Sequence, residues 1–275
     1  MPLVFGRSIL GFTAPAAGGW DITNATYNGE NFSVSTQGTL STALFFKDDG
    51  TKMYVGTASN NKIHEYTLNP AWDVSSASHV DSLDIGTEET AIQTMFIGNN
   101  GSKLFVTGNA GDDVNEYDLS PAWDVSTASF VDATSIAGQS TNPLGIFFKS
   151  DGTKMYAIEL FGGNVFQYSL TAWDASTLSY DSVSFDTNTP TGENRPQGLH
   201  FSPDGTKMFT VGRNDTVYQF TLTSDWDLST ASYDSISHSV TSQDTDPEAV
   251  FLKTDDGTKM YVLGNTQTSV FAYDL

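Results

Sequence analysis

A repeat of about 50 residues is the feature that most constrains the fold of this chain. Each copy has a turn of the type Asp-Gly-Thr-Lys-Met-Tyr, and where a Trp-Asp pair follows, its tryptophan lies 21 or 22 residues after the turn glycine. The turn glycines are 51, 51, 53 and 52 residues apart, and the tryptophans 52, 51, 50 and 53. A constant period of this size indicates a repeat architecture. The markers are Gly50, Gly101, Gly152, Gly205 and Gly257, and Trp20, Trp72, Trp123, Trp173 and Trp226.

Each repeat predicts four short antiparallel strands. In the third copy these are residues 144–149, 155–160, 165–170 and 180–185, which are rich in β-branched and aromatic residues and separated by Gly, Asn and Asp turns. Four such strands in about 50 residues form one blade of a β-propeller. Five copies therefore predict an all-β fold, a five-bladed β-propeller with four-stranded antiparallel blades.

The position of the tryptophans predicts how the ring closes. The fifth turn, at Gly257, has no tryptophan after it, and the missing partner is Trp20 at the other end of the chain. We therefore expect the propeller to span residues 20–275, with an N-terminal strand from 20–41 completing the C-terminal blade. This exchange would leave no open sheet edge. An α-solenoid is excluded because the hydrophobic period is near two.

Residues 1–19 lie outside the repeat and predict an attachment arm. Their apolar side chains would gain nothing in water, so we expect them to bind another subunit or a carrier protein. The alternative is a strap packed on the chain's own blades. The arm residues are Leu3, Val4, Phe5, Ile9, Leu10 and Phe12.

Composition excludes several classes of function. A net charge of −21 and a pI near 4.1 argue against binding to nucleic-acid phosphates. The chain contains no cysteine, which excludes disulfides and thiolate metal sites. No apolar run is long enough to span a bilayer. We expect no cofactor, no nucleic-acid partner and no membrane span.

Binding residues are expected on the variable face, where the loops between blades and between second and third strands lie. The longest of these loops is 186–197. The predicted ligand-binding residues are Glu159, Glu193, Arg195, His200 and Arg213. The alternative is ordinary loop charge. The Trp-Asp corners recur in every blade and are interpreted as wedges between blades.

The histidines occupy aromatic positions of the repeat. His200 aligns with Phe45, Phe96 and Phe147 and, counting back from the last turn glycine, with Leu252. The four histidines are scattered over different positions of the repeat, so we predict no metal cluster. The acidic stretch from Asp244 to Glu248 lacks the glycine and distal glutamate of an EF-hand loop, so a solvated loop is favoured over a calcium site.

Catalysis is not predicted. Among the starts of the five innermost strands, only Glu248 is acidic, and a glycosidase needs a pair of carboxylates. The sequence contains no Gly-x-Ser-x-Gly elbow, Walker loop or His-Glu-x-x-His motif.

The repeat also resembles known sequence families. The pattern Phe-x-x-Asp-Gly-Thr-Lys-Met-Tyr, then Tyr-x-Leu and Trp-Asp-x-Ser-Thr-Ala, resembles propeller repeats common in marine bacteria and their phages. The version at residues 202–207 is similar to the Ser-Pro-Asp-Gly propeller repeats of surface proteins and some lactonase-like enzymes. The resemblance covers residues 20–275 and implies a virion or surface adhesion module.

The sequence thus predicts a non-enzymatic structural or adhesive propeller, a phage virion component such as a capsid decoration, head fibre or tail protein. Its partners would be other virion or surface-assembly proteins, with a host surface glycan as a further candidate ligand. The expected location is the virion or, alternatively, the cell surface or extracellular space. The second hypothesis is a soluble carbohydrate-binding, lectin-like propeller. The third is a lactonase- or glycosidase-like hydrolase.

Overall fold

Five four-stranded antiparallel sheets make up the structure, a computed structural model that describes residues 19–275. Each innermost strand contacts the innermost strands of both neighbouring sheets, so the sheets close into a ring around a central channel. The predicted five-bladed β-propeller is confirmed. Because every sheet packs against two others, most apolar side chains of the inner three strands are buried between blades.

The blades follow one another in chain order, and in each the first strand is innermost. Blade 1 contains β2 (Ser41–Phe46), β3 (Lys52–Thr57), β4 (Lys62–Thr67) and β5 (Ser78–Asp84). Blade 2 contains β6 (Ile92–Gly98), β7 (Lys103–Gly108), β8 (Asp113–Asp118) and β9 (Ser129–Ser135). Blade 3 contains β10 (Pro143–Phe148), β11 (Lys154–Glu159), β12 (Asn164–Ser169) and β13 (Ser179–Asp186).

The last two blades complete the ring. Blade 4 contains β14 (Pro196–Phe201), β15 (Lys207–Gly212), β16 (Thr216–Leu222) and β17 (Ala231–Ser239). Blade 5 contains β18 (Pro247–Leu252), β19 (Lys259–Gly264), β20 (Ser269–Asp274) and, as its outermost strand, β1 (Thr26–Ser33). One short helix, α1 (Asn188–Thr191), lies in the loop between blades 3 and 4.

The N-terminal strand closes blade 5 as predicted. Strand β1 pairs antiparallel with β20, with Thr26 opposite Asp274 and Phe32 opposite Val270. Before it, the side chains of Ile22 and Ala25 are buried against blades 4 and 5. The predicted attachment arm, residues 1–19, lies outside the described residues except for Gly19, and so do all six of its named residues: Leu3, Val4, Phe5, Ile9, Leu10 and Phe12. No helix among residues 19–275 combines the length and apolarity needed to cross a membrane.

The Trp-Asp corner joins neighbouring blades. In blade 1, the Asp73 carboxylate accepts the backbone N–H of Ser75 and caps a turn of 3₁₀ helix, and the equivalent aspartates of the other blades do the same. The indole of Trp72 lies on its own turn glycine, where a Cβ at Gly50 would approach the ring to 2.3 Å. The same indole stacks on Tyr261 of blade 5 at 6.2 Å. The tryptophans therefore act as wedges between blades, as interpreted from the repeat.

A buried side chain from the third strand of four blades reaches into the next blade, and we call it the joint acceptor. In blade 2 it is Glu116, whose Oε2 accepts the backbone N–H of Ala175 in blade 3 at 2.8 Å. The joint acceptors of the other three blades are Glu65, Gln167 and Gln219, each accepting one backbone N–H. Blade 5 has Ala272 at this position. Its joint with blade 1 has the Tyr261 hydroxyl donating to the Trp72 carbonyl oxygen at 2.7 Å, a bond that the joints after blades 1 and 3 also make.

One aromatic side chain from each innermost strand meets its neighbours in a closed set around the channel, which we call the aromatic collar. Adjacent members have ring centroids 4.7 to 5.5 Å apart. The collar consists of Phe45, Phe96, Phe147, His200 and Phe251.

The prediction that Leu252 occupies the collar position in blade 5 was wrong. The turn of blade 5 is one residue longer than those of its neighbours. The Gly257 N–H bonds to the Lys253 carbonyl four residues back, whereas the Gly50 N–H bonds to the Lys47 carbonyl three residues back. Counting from the turn glycine therefore shifts the register by one residue, and Phe251 takes the position.

Candidate functional site

Among the described residues that line the channel, the carboxylate is that of Glu248, at the variable-face end. Residues near the starts of the innermost strands line this end, and Glu248 stands next to Pro247, the first residue of β18. Its side chain is 5% exposed. On the neighbouring blade, the Thr42 hydroxyl donates to the Ile92 carbonyl oxygen at 2.9 Å, so Thr42 satisfies its own polar group. Glu248 is therefore the titratable group of the channel mouth.

Arg213 holds this mouth together across blades 4 and 5. Its Nη1 lies 2.5 Å from Asp246 Oδ1 and its Nη2 lies 3.3 Å from Glu248 Oε1. The amide of Gln197, oriented with its oxygen toward the guanidinium, accepts from Nε at 2.7 Å and from Nη2 at 3.1 Å. Arg213 follows β15, and Asp246 precedes β18, so the two loops meet only because the blades are adjacent. A planar guanidinium suits such multiple oxygen partners.

Burial raises the pKa of Glu248 to about 7. Desolvation is the main cause, and the charge of Asp246 adds to it, while Arg213 and Arg195 act in the opposite direction. The carboxylate is thus poised to exchange a proton near neutral pH. A group with this property in a cleft is a candidate general acid or base.

The raised pKa of Glu248 predicts a pH-dependent loss of stability. The folded protein holds this proton up to about pH 7, whereas the unfolded chain releases it near pH 4.5. The stabilisation is therefore complete below pH 4.5 and is lost as pH rises to about 7, by roughly 3 kcal/mol at 1.36 kcal/mol per pKa unit. Urea unfolding at pH 4.5, 6 and 8 should show the free energy of unfolding of the wild type falling relative to Glu248→Gln. An equal pH dependence for both proteins would contradict this.

The channel beside Glu248 contains a space of about 20 Å³. This volume suffices for one water molecule. Its polar lining includes Glu248, Thr42 and His200, and the rest is largely apolar, with groups such as Leu144 and Leu199. A water bound there would have a carboxylate as hydrogen-bond partner, with little access to other solvent.

Glu193 is predicted as a ligand-binding residue, but in the structure its side chain holds two loops by bonding to their backbone. It is 1% exposed, and its carboxylate accepts the backbone N–H groups of Arg195 and Asn214, both at 2.8 Å. Glu89 and Asp244 occupy the same position in blades 2 and 5 and also accept backbone N–H groups. Their shared role explains why these carboxylates are buried. The Asp244 carboxylate is occupied by hydrogen bonds from backbone N–H groups, which a calcium ligand would not be.

The other predicted residues are divided between the two ends of the channel. Arg195 is exposed at the variable face, and Arg213 joins the Glu248 cluster. Glu159 accepts from Asn164 at 3.0 Å within blade 3. His200, expected beside the arginines, lies in the collar at the other end of β14. Among residues 19–275 there is no group of three or more His, Cys, Asp and Glu side chains that could hold a metal ion.

Sequence reasoning missed the partners of Arg213. Glu248 was recognised as the one acidic strand start, but Asp246 was considered only as part of an acidic loop and Gln197 not at all. The available signal was the coincidence of an arginine in one blade's loop with two carboxylates in the next. That coincidence points to an ion pair only once the blade order is known, because the order places the loop with Arg213 beside the loop with the two carboxylates.

Comparison with known proteins finds solved structures of similar fold. Among similar solved structures is the periplasmic gluconolactonase of Pseudomonas aeruginosa, with 17% identity and a TM-score of 0.50 over 85% of this chain. A candidate 6-phosphogluconolactonase of Bacteroides fragilis NCTC 9343 matches 76% of this chain at 13% identity and a TM-score of 0.50. A functionally unknown protein of Desulfotomaculum acetoxidans DSM 771 matches 82% at 14% identity, also with a TM-score of 0.50. No family model and no curated protein matches the sequence.

These likenesses correct the functional prediction. Two of the three similar structures carry lactonase names, so the prediction of a non-enzymatic phage or surface structural protein was wrong, and so was the prediction of no enzyme. At 13–17% identity the likeness itself shows a common propeller fold. The chain spans 66%, 56% and 62% of the lengths of these three proteins, in the order given.

Proposed function

We propose that this chain hydrolyses lactones of sugar acids at the variable-face end of its channel. The observation that carries the proposal is Glu248, a buried carboxylate with its pKa near 7, in contact with Arg213 and beside space for one water. The lactonase names of two similar structures support this substrate class. Lactone opening needs a base for water and a cation for the developing oxyanion, and this mouth offers both.

The reaction is a general-base hydrolysis. The Glu248 carboxylate takes a proton from water, whose oxygen attacks the lactone carbonyl carbon. The resulting oxyanion is stabilised by the Arg213 guanidinium, which Asp246 and Gln197 hold in place. When the tetrahedral intermediate collapses, the ring C–O bond breaks, and the leaving alkoxide receives the proton from Glu248. One water is consumed and one hydroxy acid is formed.

Arg195 would position the remainder of the substrate. Its side chain is exposed at the same face, and its charge acts on Glu248. A guanidinium is a hydrogen-bond donor, so it can bind the oxygen of a hydroxyl or a phosphate group. It therefore suits a polar or anionic substituent on the sugar ring. Substrate binding would also displace solvent from Glu248 and Arg213, which strengthens their interaction with the reacting atoms.

Replacement of Glu248 tests the proposal. Glu248→Gln should reduce kcat/KM for a gluconolactone by about 10²-fold or more, because the amide cannot take a proton. The wild-type kcat/KM should rise with pH and level off above about pH 7, where Glu248 is ionised. Turnover is measured by titration of the released acid at pH 6 to 7.5, with spontaneous hydrolysis subtracted.

Glu159→Gln is the matched control. Glu159 also has a pKa raised by burial, but its carboxylate is bonded to Asn164 in blade 3. Its loss should leave turnover within about twofold of the wild type, since it makes no contact with Arg213. No turnover above background on gluconolactone or 6-phosphogluconolactone, or full activity of Glu248→Gln, would refute the proposed function.

A further inference from the structure

A second cavity, of about 350 Å³, lies at the opposite end of the channel, on the face of the Asp-Gly turns. Its volume is within the range of small-molecule sites. The aromatic collar lines it, and so do the indoles of Trp123, Trp173 and Trp226. We call this cavity the cup. We propose that the cup binds a small neutral phenol, with the ring among the aromatic side chains and the hydroxyl bonded to His200.

The cup is where blade 2 departs from the repeat. Blades 1, 3 and 5 begin their turns with Lys47, Lys149 and Lys253, whereas blade 2 has Gly98. A Cβ at Gly98 would approach the Trp173 ring to 2.0 Å, so a lysine there would displace this indole. Trp123 and Trp173 are only partly buried. The glycine therefore lets the Trp173 ring lie directly against the blade 2 turn, where it lines the cup together with Trp123 and Trp226.

His200 is the second departure from the repeat, and it faces the same cavity. Four members of the collar are phenylalanine, and the fifth is a histidine that is 2% exposed. Its Nε2 is buried and has no hydrogen-bond partner among the described residues. A buried polar atom without a partner costs about 1 to 3 kcal/mol, which a fifth phenylalanine would avoid. In the described orientation the ring keeps Nε2 closed off from the cup, so a ligand hydroxyl supplies the missing partner when the imidazole turns this atom toward the cavity.

The chemistry of the lining selects the class of ligand. Burial lowers the pKa of His200 to about 3, so the imidazole is neutral and can exchange a hydrogen bond with a hydroxyl. The indoles and collar offer flat faces to an aromatic ring. Asp48 and Asp255 stand on the rim, Asp255 paired with Lys253 at 3.2 Å, and the remaining negative charge disfavours an anionic ligand. A neutral phenol satisfies all three conditions.

Two probes that differ by one hydroxyl test the proposal. By calorimetry or tryptophan fluorescence, 4-methylphenol should bind the wild type roughly tenfold more tightly than toluene, because only the phenol satisfies His200. In His200→Phe the two probes should bind equally. 4-Hydroxybenzoate should bind the wild type more weakly than 4-methylphenol, because of the rim carboxylates.

His238→Phe is the matched control. His238 lies on the outermost strand of blade 4, edge-on to Tyr273, and does not line the cup, so this variant should keep the tenfold preference. If His200→Phe does not fold, the imidazole ¹⁵N shifts of wild-type His200 should change with 4-methylphenol and not with toluene. Unchanged shifts, no phenol preference in the wild type, or a preference that persists in His200→Phe would overturn the proposal.

Discussion

Deletion of residues 19–34 is expected to destroy the cooperative fold of the propeller. The deletion removes β1 and leaves the hydrogen-bonding edge of β20 open. It also removes Ile22 and Val34, both fully buried, and Tyr27, whose ring lies 5.9 Å from that of Tyr273. Each fully buried side chain contributes about 1.5 to 3 kcal/mol, and folded proteins in general are stable by only about 5 to 15 kcal/mol.

The measurement is thermal unfolding together with light scattering. The deleted protein should lose its sharp transition and form oligomers through the open edge. A synthetic peptide of residues 19–36, added in excess, should restore the monomer and the transition, because pairing with β20 and packing place β1 in blade 5 and the peptide can supply both. A deleted protein that stays monomeric with an unchanged melting temperature would contradict this account of ring closure.

Glu116→Ala is expected to cost about 3 to 5 kcal/mol of unfolding free energy, the range for removing one partner of a buried ion pair. Glu116 is 3% exposed, contacts Lys103 and accepts the N–H of Ala175 in the next blade. Alanine would leave that N–H without a partner and open a void in the joint between blades 2 and 3. Urea unfolding at pH 7 measures the loss.

Glu116→Gln is the control, and the chain itself provides its precedent. Blades 3 and 4 have Gln167 and Gln219 as joint acceptors, each bonded to a backbone N–H of the next blade. Lys103 keeps Asp118, 2.7 Å away, as its partner. Glutamine should therefore cost only about 1 kcal/mol, the net value of one ordinary hydrogen bond. Equal losses for the alanine and glutamine variants would show that the backbone bond contributes little.

The fold could be predicted from the sequence because its markers repeat. The Asp-Gly turn and the Trp-Asp corner each have a local cause, a turn glycine under an indole and an aspartate that caps a 3₁₀ turn. Features with local causes recur at a constant spacing, so the five copies reveal the extent of one blade and the number of blades. The position of Trp20 then reveals which strand closes the ring.

The candidate site could be predicted only in part. Arg195, Arg213 and Glu248 were placed at the variable face, but the contact between Arg213 and Asp246 depends on how two loops of adjacent blades meet. Sequence spacing does not determine that meeting. His200 was placed at the wrong end because it is four residues beyond Pro196 on a strand that runs the length of the channel. The enzyme prediction failed because missing motifs exclude only the mechanisms that use those motifs.

The pairing of β1 with β20 also determines how the propeller responds to mechanical force. Thr26 lies opposite Asp274, so residue 19 and residue 275 leave the sheet at the same end of the ladder. A force that separates these two residues loads the hydrogen bonds one after another rather than all at once. The strand should therefore peel away at a low force, although it is among the most important for thermal stability. Pulling across the ring, from blade 1 to blade 3, would instead load whole sheets and their packed joints together.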